Sequence, residues 1–165
     1  MSIQVGDHLP DIDIYEYIDD GSHPEGPKIW RLPDLAHKKK VLAIGIIGAF
    51  TPICSSNHVP GYIRAYDEFV KQGIDELWCI SVNDPFVMWA WSEEMRCRDK
   101  MRMLSDGSAE LVSLMDVTLD LSGRGMGVRS DRFAMVVDNG VITDFLREDP
   151  GHFCYTDADT LLARL

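Results

Sequence analysis

One cysteine of this chain lies in a sequence context that favours a reactive sulfur. Cys54 belongs to GAFTPICSSNHVPGY, residues 48–62, three residues after Thr51 and four before His58. Thr51 and Pro52 match a helix N-cap and its first-turn proline, which predicts that Cys54 lies in the first turn of a helix. Backbone N–H groups in that turn have no intrahelical partner and the helix dipole is positive there. A thiolate is therefore favoured over a thiol, and the sequence predicts a nucleophilic sulfur.

The spacing around this cysteine excludes a local dithiol. Thiol–disulfide exchange proteins place Cys-x-x-Cys in such a turn, but Thr51 occupies the earlier position here and Asn57 the later one. A single thiolate with a hydroxyl and free amides beside it is suited to attack on a peroxide, because the donors stabilise the charge that develops on the leaving oxygen. The alternative at this point is a buried structural cysteine, since free cysteines are among the most buried residues.

The composition of the whole chain is that of one soluble globular domain. Its 165 residues are 45% hydrophobic and 26% charged, and no linker divides them, so we expect a single domain over residues 1–165. A formal net charge of −11 gives no electrostatic reason to expect nucleic acid or an anionic membrane as a partner. The start MSIQVGDHLP has no basic segment followed by an apolar one, no apolar run has membrane length, and four dispersed cysteines fit a reducing compartment. Ala163-Arg164-Leu165 has the character of a peroxisomal address, but three residues match such a signal by chance often. We therefore expect a cytoplasmic protein.

The pattern of strands and helices indicates how the nucleophile is positioned. LAIGII, residues 42–47, is a compact apolar run that predicts a buried strand, and the helix that follows is expected to continue to Gly73, with a kink at its internal proline. LWCISV, residues 77–82, predicts a second buried strand. Asn83-Asp84-Pro85 then predicts the start of a helix that reaches about Cys97.

The two ends of the chain are predicted to add strands and a final helix. IDIYEYI and IWRL indicate two short strands joined by the turn-rich residues 19–28. A shorter helix is expected near 109–115, and RFAMVVDNGVITDFL predicts a hairpin that turns at Asn139-Gly140. Thr156 and Asp159 predict the capped start of the last helix. This order predicts an α/β thioredoxin-like fold, with a mixed central sheet flanked by helices and an N-terminal strand extension.

Several segments together resemble one enzyme family. GAFTPICSSNHVPGY resembles the active-site segment of the peroxiredoxins, and its HVPGY end is similar to the type-5 subfamily, which includes the plant type-II enzymes. VGDHLP near the start, SVNDPFVMWAW at 81–91 and GVRSDRFAMVVDNG at 127–140 resemble that subfamily's segments in the same order. The resemblance implies a thioredoxin-fold thiol peroxidase of antioxidant defence and redox homeostasis. Such an enzyme reduces hydrogen peroxide and alkyl hydroperoxides through a cysteine sulfenic acid.

The resemblance also implies roles for individual residues. The family pattern Pro-x-x-x-Thr-x-x-Cys with a distant arginine identifies Cys54 as the peroxidatic cysteine, Thr51 as the threonine and Arg132 as the arginine held over the sulfur. Ile47 stands at the family's proline position, where it keeps apolar bulk but restores a backbone N–H and frees φ, so lower activity or easier over-oxidation is expected. His58 is open to three readings, of which a hydrogen-bonded histidine is favoured over a proton donor. A metal ligand is disfavoured, because no other Cys or His has a suitable spacing.

The other cysteines raise the question of how an oxidised Cys54 is reduced. The resemblance implies recycling by glutaredoxin, glutathione or thioredoxin, or by a resolving cysteine of the same chain. Cys154, in an irregular loop before the last helix, is the candidate resolving thiol, although external reduction is favoured. Cys79 is expected in the core, and the arginines on both sides of Cys97 are expected to lower the pKa of its thiol.

Assembly and an alternative function complete the expectations. The subfamily commonly dimerises through loops around the active site, and the Trp-bearing segment 86–91 offers a core or subunit contact, so a homodimer is expected. No cofactor and no metal are expected. The alternative function is a redox-sensing or holdase-type binding protein, in which Cys54 oxidises with little turnover.

Overall fold

A seven-stranded mixed sheet organises the computed structural model, which describes residues 2–165. Its strands in chain order are β1 (Asp13–Glu16), β2 (Lys28–Arg31), β3 (Lys40–Gly45), β4 (Glu76–Ser81), β5 (Met101–Ser105), β8 (Phe133–Asp138) and β9 (Val141–Arg147), while β6 (Thr118–Leu121) and β7 (Gly127–Ser130) form a separate pair. The spatial order is β2-β1-β5-β4-β3-β8-β9. The three central strands β5, β4 and β3 are parallel, and the flanking pairings are antiparallel. This arrangement confirms the thioredoxin-like fold and its N-terminal strand extension.

Helices cover both faces of the sheet. They are α1 (Leu32–Leu35), α2 (Val59–Arg64), α3 (Tyr66–Lys71), α4 (Pro85–Met95), α5 (Glu110–Leu114) and α6 (Ala158–Arg164), with a π-helical turn at Cys54–His58 and a 3-10 turn at Ser122–Arg124. Side chains of α2, α3, α4 and α6 belong to one apolar core, and side chains of α1 and α5 belong to a second. Within the part of the chain that the structure describes, no helix is long and apolar enough to cross a membrane.

Strand β3 separates the two cores by the alternation of its side chains. Val41 and Ala43 belong to the core with α1 and α5, whereas Leu42 and Ile44 belong to the core with α2 and α4. All four side chains are buried, because successive residues of a strand point to opposite faces and both faces of this sheet are covered. Because both faces of β3 are buried, its sequence is a continuous apolar run, as was predicted for a buried central strand.

The structure shifts some predicted boundaries and adds strands that were not predicted. The hairpin at Asn139-Gly140 is present, with both residues at positive φ, as a tight turn of this kind requires. Helix α4 begins as predicted, with the side chain of Asp84 accepting a hydrogen bond from the N–H of Val87. Strand β5 was not predicted, because its sequence MRMLS contains no β-branched or aromatic residue. Its pairing with β4 and β1 determines its conformation.

The helix after β3 is less regular than predicted. It begins at Pro52, winds into the π-helical turn, and breaks at Ala65 between α2 and α3. Pro60 has no N–H to donate to the carbonyl of Ser56, and the turn before it uses longer bonds such as that from the N–H of Val59 to the carbonyl of Cys54. The kink expected at this proline therefore takes the form of a π-helical turn that carries Cys54.

The prediction for the cap of the last helix is wrong. Asp157, not Thr156, is the N-cap of α6, and its side chain accepts from the N–H of Thr160. Thr156 instead donates its hydroxyl to Glu148, 2.9 Å away, and its backbone N–H binds the same carboxylate. Both residues are suitable caps by type, and a long-range partner decides between them.

Candidate active site

The pairing of β3 with β8 brings Arg132 to Cys54. Gly45 at the end of β3 pairs with Phe133 at the start of β8, so Arg132, one residue earlier, lies beside the segment that leads from β3 to the cysteine. A Cβ atom on Gly45 would lie 2.0 Å from the Phe133 ring. Only glycine therefore permits this close approach of the two strands.

Cys54 and Arg132 form a buried pair. The Cys54 side chain is fully buried and Arg132 is nearly so. Arg132 Nη1 donates to Cys54 Sγ over 3.0 Å. A hydrogen bond from a cation stabilises negative charge on the sulfur, and it places the same donor where charge would develop on an attacked oxygen. Two residues separated by 78 positions thus meet as one reactive unit.

Thr51 and Arg132 line a pocket that leads to this pair. The Thr51 hydroxyl donates to the carbonyl of Gly48 over 2.7 Å, which fixes the side chain at the start of the helix. The pocket has a volume of about 450 Å³, enough for a small organic ligand. Its other lining residues are mostly apolar: Ile47, Pro52, Ile53, Leu119, Leu121, Arg124, Met126, Pro150 and Gly151. Ile47 therefore supplies apolar bulk beside Thr51.

His58 contacts Arg132 from the next turn of the same helix. Its Nδ1 lies 3.5 Å from Arg132 Nη1, and the side chain is fully buried. Burial, and secondarily the positive charge of Arg132, lowers the pKa of His58 from its usual 6.5 to about 3. The ring is therefore neutral near pH 7, with Nδ1 able to accept from the arginine. This contact matches the hydrogen-bonded histidine favoured from the sequence.

The lowered pKa of His58 has a measurable consequence for stability. Between about pH 6.5 and 3 the unfolded chain binds a proton at His58 and the folded chain does not, so stability falls as the pH falls through this window. We expect wild type to lose about 1.4 kcal/mol more per pH unit there than His58→Asn, which keeps an acceptor near the Nδ1 position. Urea denaturation of both proteins from neutral to acid pH measures the difference. Parallel stability curves would contradict the assignment.

The remaining cysteines are placed differently from one another. Cys79 in β4 is buried as predicted, and burial raises the pKa of its thiol well above the usual value. The expectation for Cys97 is wrong, because burial, with a smaller contribution from Asp99, raises the pKa of this thiol to about 12. Its thiol donates to the carbonyl of Ser92 over 3.8 Å in the core, while the guanidinium of Arg98 lies over the Trp89 ring. Cys154 is exposed, and all four thiols are free.

The Trp-bearing segment has both core and surface residues. Met88 and Trp91 are fully buried, and the Trp91 indole N–H donates to Ser55 Oγ over 3.2 Å, directly beside Cys54. Phe86, five residues before Trp91, remains 53% exposed. The segment therefore supports the turn that carries Cys54 from the core and leaves an aromatic side chain on the surface.

Three residues near the site were not singled out from the sequence. The Phe153 ring lies 4.7 Å from the ring of His58 and 5.8 Å from the Arg132 guanidinium carbon. Tyr62 Oη donates to the carbonyl of Thr156 over 2.6 Å, and the buried Glu148 accepts from the same loop. These contacts join distant parts of the chain, so no local spacing predicts them. Across residues 2–165, no group of three or more His, Cys, Asp or Glu side chains is arranged to hold a metal ion.

The fold and the buried cysteine–arginine pair define a thiol-based redox protein of the thioredoxin-like class, and comparison with known proteins is more specific. The family model described as Redoxin matches residues 4–162. Peroxiredoxin-2D of Arabidopsis thaliana is 40% identical over 163 residues, which cover 99% of this chain and 98% of the relative. The crystal structure of reduced Prx3 from Vibrio vulnificus in complex with hydrogen peroxide superposes with a TM-score of 0.90 at 36% identity, covering 98% of this chain and 95% of that one. A structure from Burkholderia cenocepacia superposes with a TM-score of 0.96 at 47% identity, and the match covers 100% of this chain and 99% of that one.

The chain therefore belongs to the Redoxin family and, within it, to the peroxiredoxins. It is a thiol peroxidase enzyme with an antioxidant function. The resemblance to the type-5 and plant type-II enzymes agrees with its relatives.

Proposed function

We propose that Cys54 reduces hydrogen peroxide and small alkyl hydroperoxides directly. The observation that carries this proposal is the 3.0 Å hydrogen bond from Arg132 to the buried sulfur of Cys54. The thiolate attacks one peroxide oxygen, the O–O bond breaks, and the sulfur becomes a sulfenic acid. The leaving oxygen takes a proton and departs as water or an alcohol. Arg132 stabilises the charge that moves from sulfur to oxygen, and Thr51 borders the same approach.

We further propose that an external thiol returns Cys54 to its reduced form. One thiol condenses with the sulfenic acid to give a mixed disulfide and water, and a second thiol releases Cys54 by exchange. Glutaredoxin with glutathione, or thioredoxin, can supply these two thiols. The apolar pocket beside Thr51 and Arg132 offers an external thiol an approach to Cys54. Cys154, in contrast, is exposed to solvent on the loop whose Phe153 packs on His58.

The experiment that tests this function is a comparison of regenerating systems. Peroxide consumption is followed with thioredoxin, with glutaredoxin and glutathione, and with glutathione alone, each with its reductase and NADPH. We expect catalytic turnover with at least one system. Oxidation of Cys54 without turnover in any of them would instead support a redox sensor or holdase.

We propose that the protein assembles as a homodimer through the surface around the pocket. Ile53, an exposed large apolar side chain, lines the pocket, and Phe50, Phe86 and Val128 are further exposed large apolar side chains. Sedimentation velocity at micromolar concentration is expected to show a species of about twice 18.6 kDa. Phe86→Ser should shift the population toward the monomer, because it removes an exposed aromatic side chain from the interface. A single 18.6 kDa species for the wild type would contradict the dimer.

We propose the cytoplasm as the compartment of this enzyme. The four free thiols fit a reducing environment. Two of them, those of Cys79 and Cys97, are fully buried in the same core as Cys54. Fractionation of the source cells that recovers the protein in an oxidising compartment would contradict this assignment.

A further inference from the structure

Glu148 binds the loop between β9 and α6 through a single oxygen. This residue is 2% exposed and directly follows β9. Its Oε2 accepts from the backbone N–H groups of Cys154 (2.8 Å), Tyr155 (2.7 Å) and Thr156 (2.8 Å), and from the Thr156 hydroxyl (2.9 Å). Hydrogen bonds to a carboxylate are stronger than those between neutral groups. One buried carboxylate therefore closes residues 149–156 into a compact loop.

The same residue connects this loop to the reactive pair. The backbone N–H of Glu148 donates to the carbonyl of Arg132 over 2.9 Å. The far end of the loop is held a second time, because Tyr62 of α2 donates to the carbonyl of Thr156. The loop is thus attached to Arg132, immediately before β8, and to the helix that follows Cys54.

The closed loop places two neighbouring side chains on opposite sides. Phe153 points inward and packs on His58 and Arg132, whereas Cys154 is exposed to solvent. A disulfide between Cys154 and Cys54 requires their Cα atoms to come within about 7 Å. The backbone N–H of Cys154 must leave Glu148, and Phe153 must move from its place over His58, for Cys154 to turn toward the buried sulfur.

We propose that Glu148 is a positioning residue: it holds the loop 149–156 closed over Arg132 and His58, and so directs an oxidised Cys54 to an external thiol and away from Cys154. This inference rests on the proposed function of Cys54. The two competing reactions of the sulfenic acid have the same stoichiometry. In each, a thiol attacks the sulfenic sulfur, an S–S bond forms, and water leaves; only the source of the thiol differs.

The test measures how an oxidised Cys54 is divided between two products. The full chain receives one equivalent of hydrogen peroxide in a fixed excess of glutathione, and mass spectrometry of its peptides gives the ratio of Cys54–Cys154 disulfide to Cys54–glutathione disulfide. We expect the glutathione adduct to dominate in wild type. Glu148→Gln, which removes the charge and keeps the shape, should raise the ratio roughly tenfold. Thr156→Val removes only the hydroxyl donor and should raise it by about twofold to threefold.

Asp106→Asn is the matched control. Asp106 is also a buried carboxylate, and it accepts from the backbone N–H groups of Leu111 and Val112 at the start of α5, away from the loop. It should leave the product ratio unchanged. An equal rise in this control would show general loosening and would overturn the proposal, as would a dominant Cys54–Cys154 disulfide in wild type. Unchanged ratios in both Glu148→Gln and Thr156→Val would also overturn it.

A second oxidant separates this proposal from the proposed function. Diamide takes two electrons and two protons from a pair of thiols, so it couples Cys54 to Cys154 without any peroxide chemistry. We expect Glu148→Gln to accelerate this coupling roughly tenfold as well. If wild type leaves peroxide untouched, the proposed function fails, and the diamide rates still decide the role of Glu148.

Discussion

Replacement of Arg132 by lysine is expected to slow the oxidation of Cys54 by hydrogen peroxide by roughly 10²-fold. Arg132 reaches Cys54 Sγ and His58 with one fixed guanidinium nitrogen, and its planar group has further N–H donors for an oxygen beside the sulfur. Lysine keeps the positive charge but offers a single flexible ammonium group. The effect therefore measures the fixed geometry of the donors separately from their charge. Single-turnover stopped-flow measurements at limiting peroxide give the rate constant.

Arg129→Lys is the control for this substitution. Arg129 is three residues earlier and is also partly buried, but it donates to the backbone carbonyls of Met126 and Val82. Its replacement should change the rate constant by less than about threefold, because it does not contact the reacting sulfur. Thermal unfolding of both variants checks that each remains folded. A loss of similar size in both, or no loss in Arg132→Lys, would show that Arg132 does not stabilise the transition state.

Cys54→Ser is expected to reduce peroxide consumption to the uncatalysed background. A serine hydroxyl is not ionised near neutral pH and is a far weaker nucleophile than a thiolate, and no other thiol of the chain lies in a comparable position. Cys79 and Cys97 are buried with raised pKa values, and Cys154 lies on the solvent side of its loop. The reductase-coupled assay used for the wild type measures the loss.

Cys154→Ser provides the comparison for the nucleophile. With an external thiol in excess, this variant should retain at least about half of the wild-type turnover, since its sulfur is not the one attacked by peroxide. Mass analysis after one equivalent of peroxide should show oxygen on Cys54 in this variant and no oxidised residue at position 54 in Cys54→Ser. Peroxidase activity that survives in Cys54→Ser would assign the reaction to another thiol.

Local sequence patterns predicted the elements that carry Cys54. The strand β3, the helix start at Pro52 and the hairpin at Asn139-Gly140 depend on residues that are neighbours in the chain, namely an apolar run, an N-terminal proline and two residues that tolerate positive φ. Strand β5 is different, because its conformation follows from pairing with strands far away in sequence. The position of Cys54 was therefore predictable, whereas the full sheet was not.

The partners of Cys54 could not be obtained from spacing. Arg132 was identified by resemblance to a family, and only the register of β3 against β8 explains why it reaches the sulfur. Cys97 shows the opposite difficulty, because its charged sequence neighbours suggested a lowered thiol pKa while its side chain points into the core. Thr156 was assigned to a helix cap, but a buried carboxylate eight residues earlier binds it instead. In each case the deciding contact is made in three dimensions, and the adjacent sequence does not record it.

The contact between Gly45 and the Phe133 ring restricts which substitutions the active site tolerates. Even alanine at position 45 would place a methyl carbon inside the volume of that ring, so the ring and the start of β8 would have to shift. Arg132 is the residue immediately before this ring, and its hydrogen bond to sulfur depends on that position. The addition of one methyl group at Gly45, a residue with no functional group of its own, would thus change the rate at which Cys54 reacts with peroxide. We therefore expect selection for peroxide resistance to act against substitutions of Gly45.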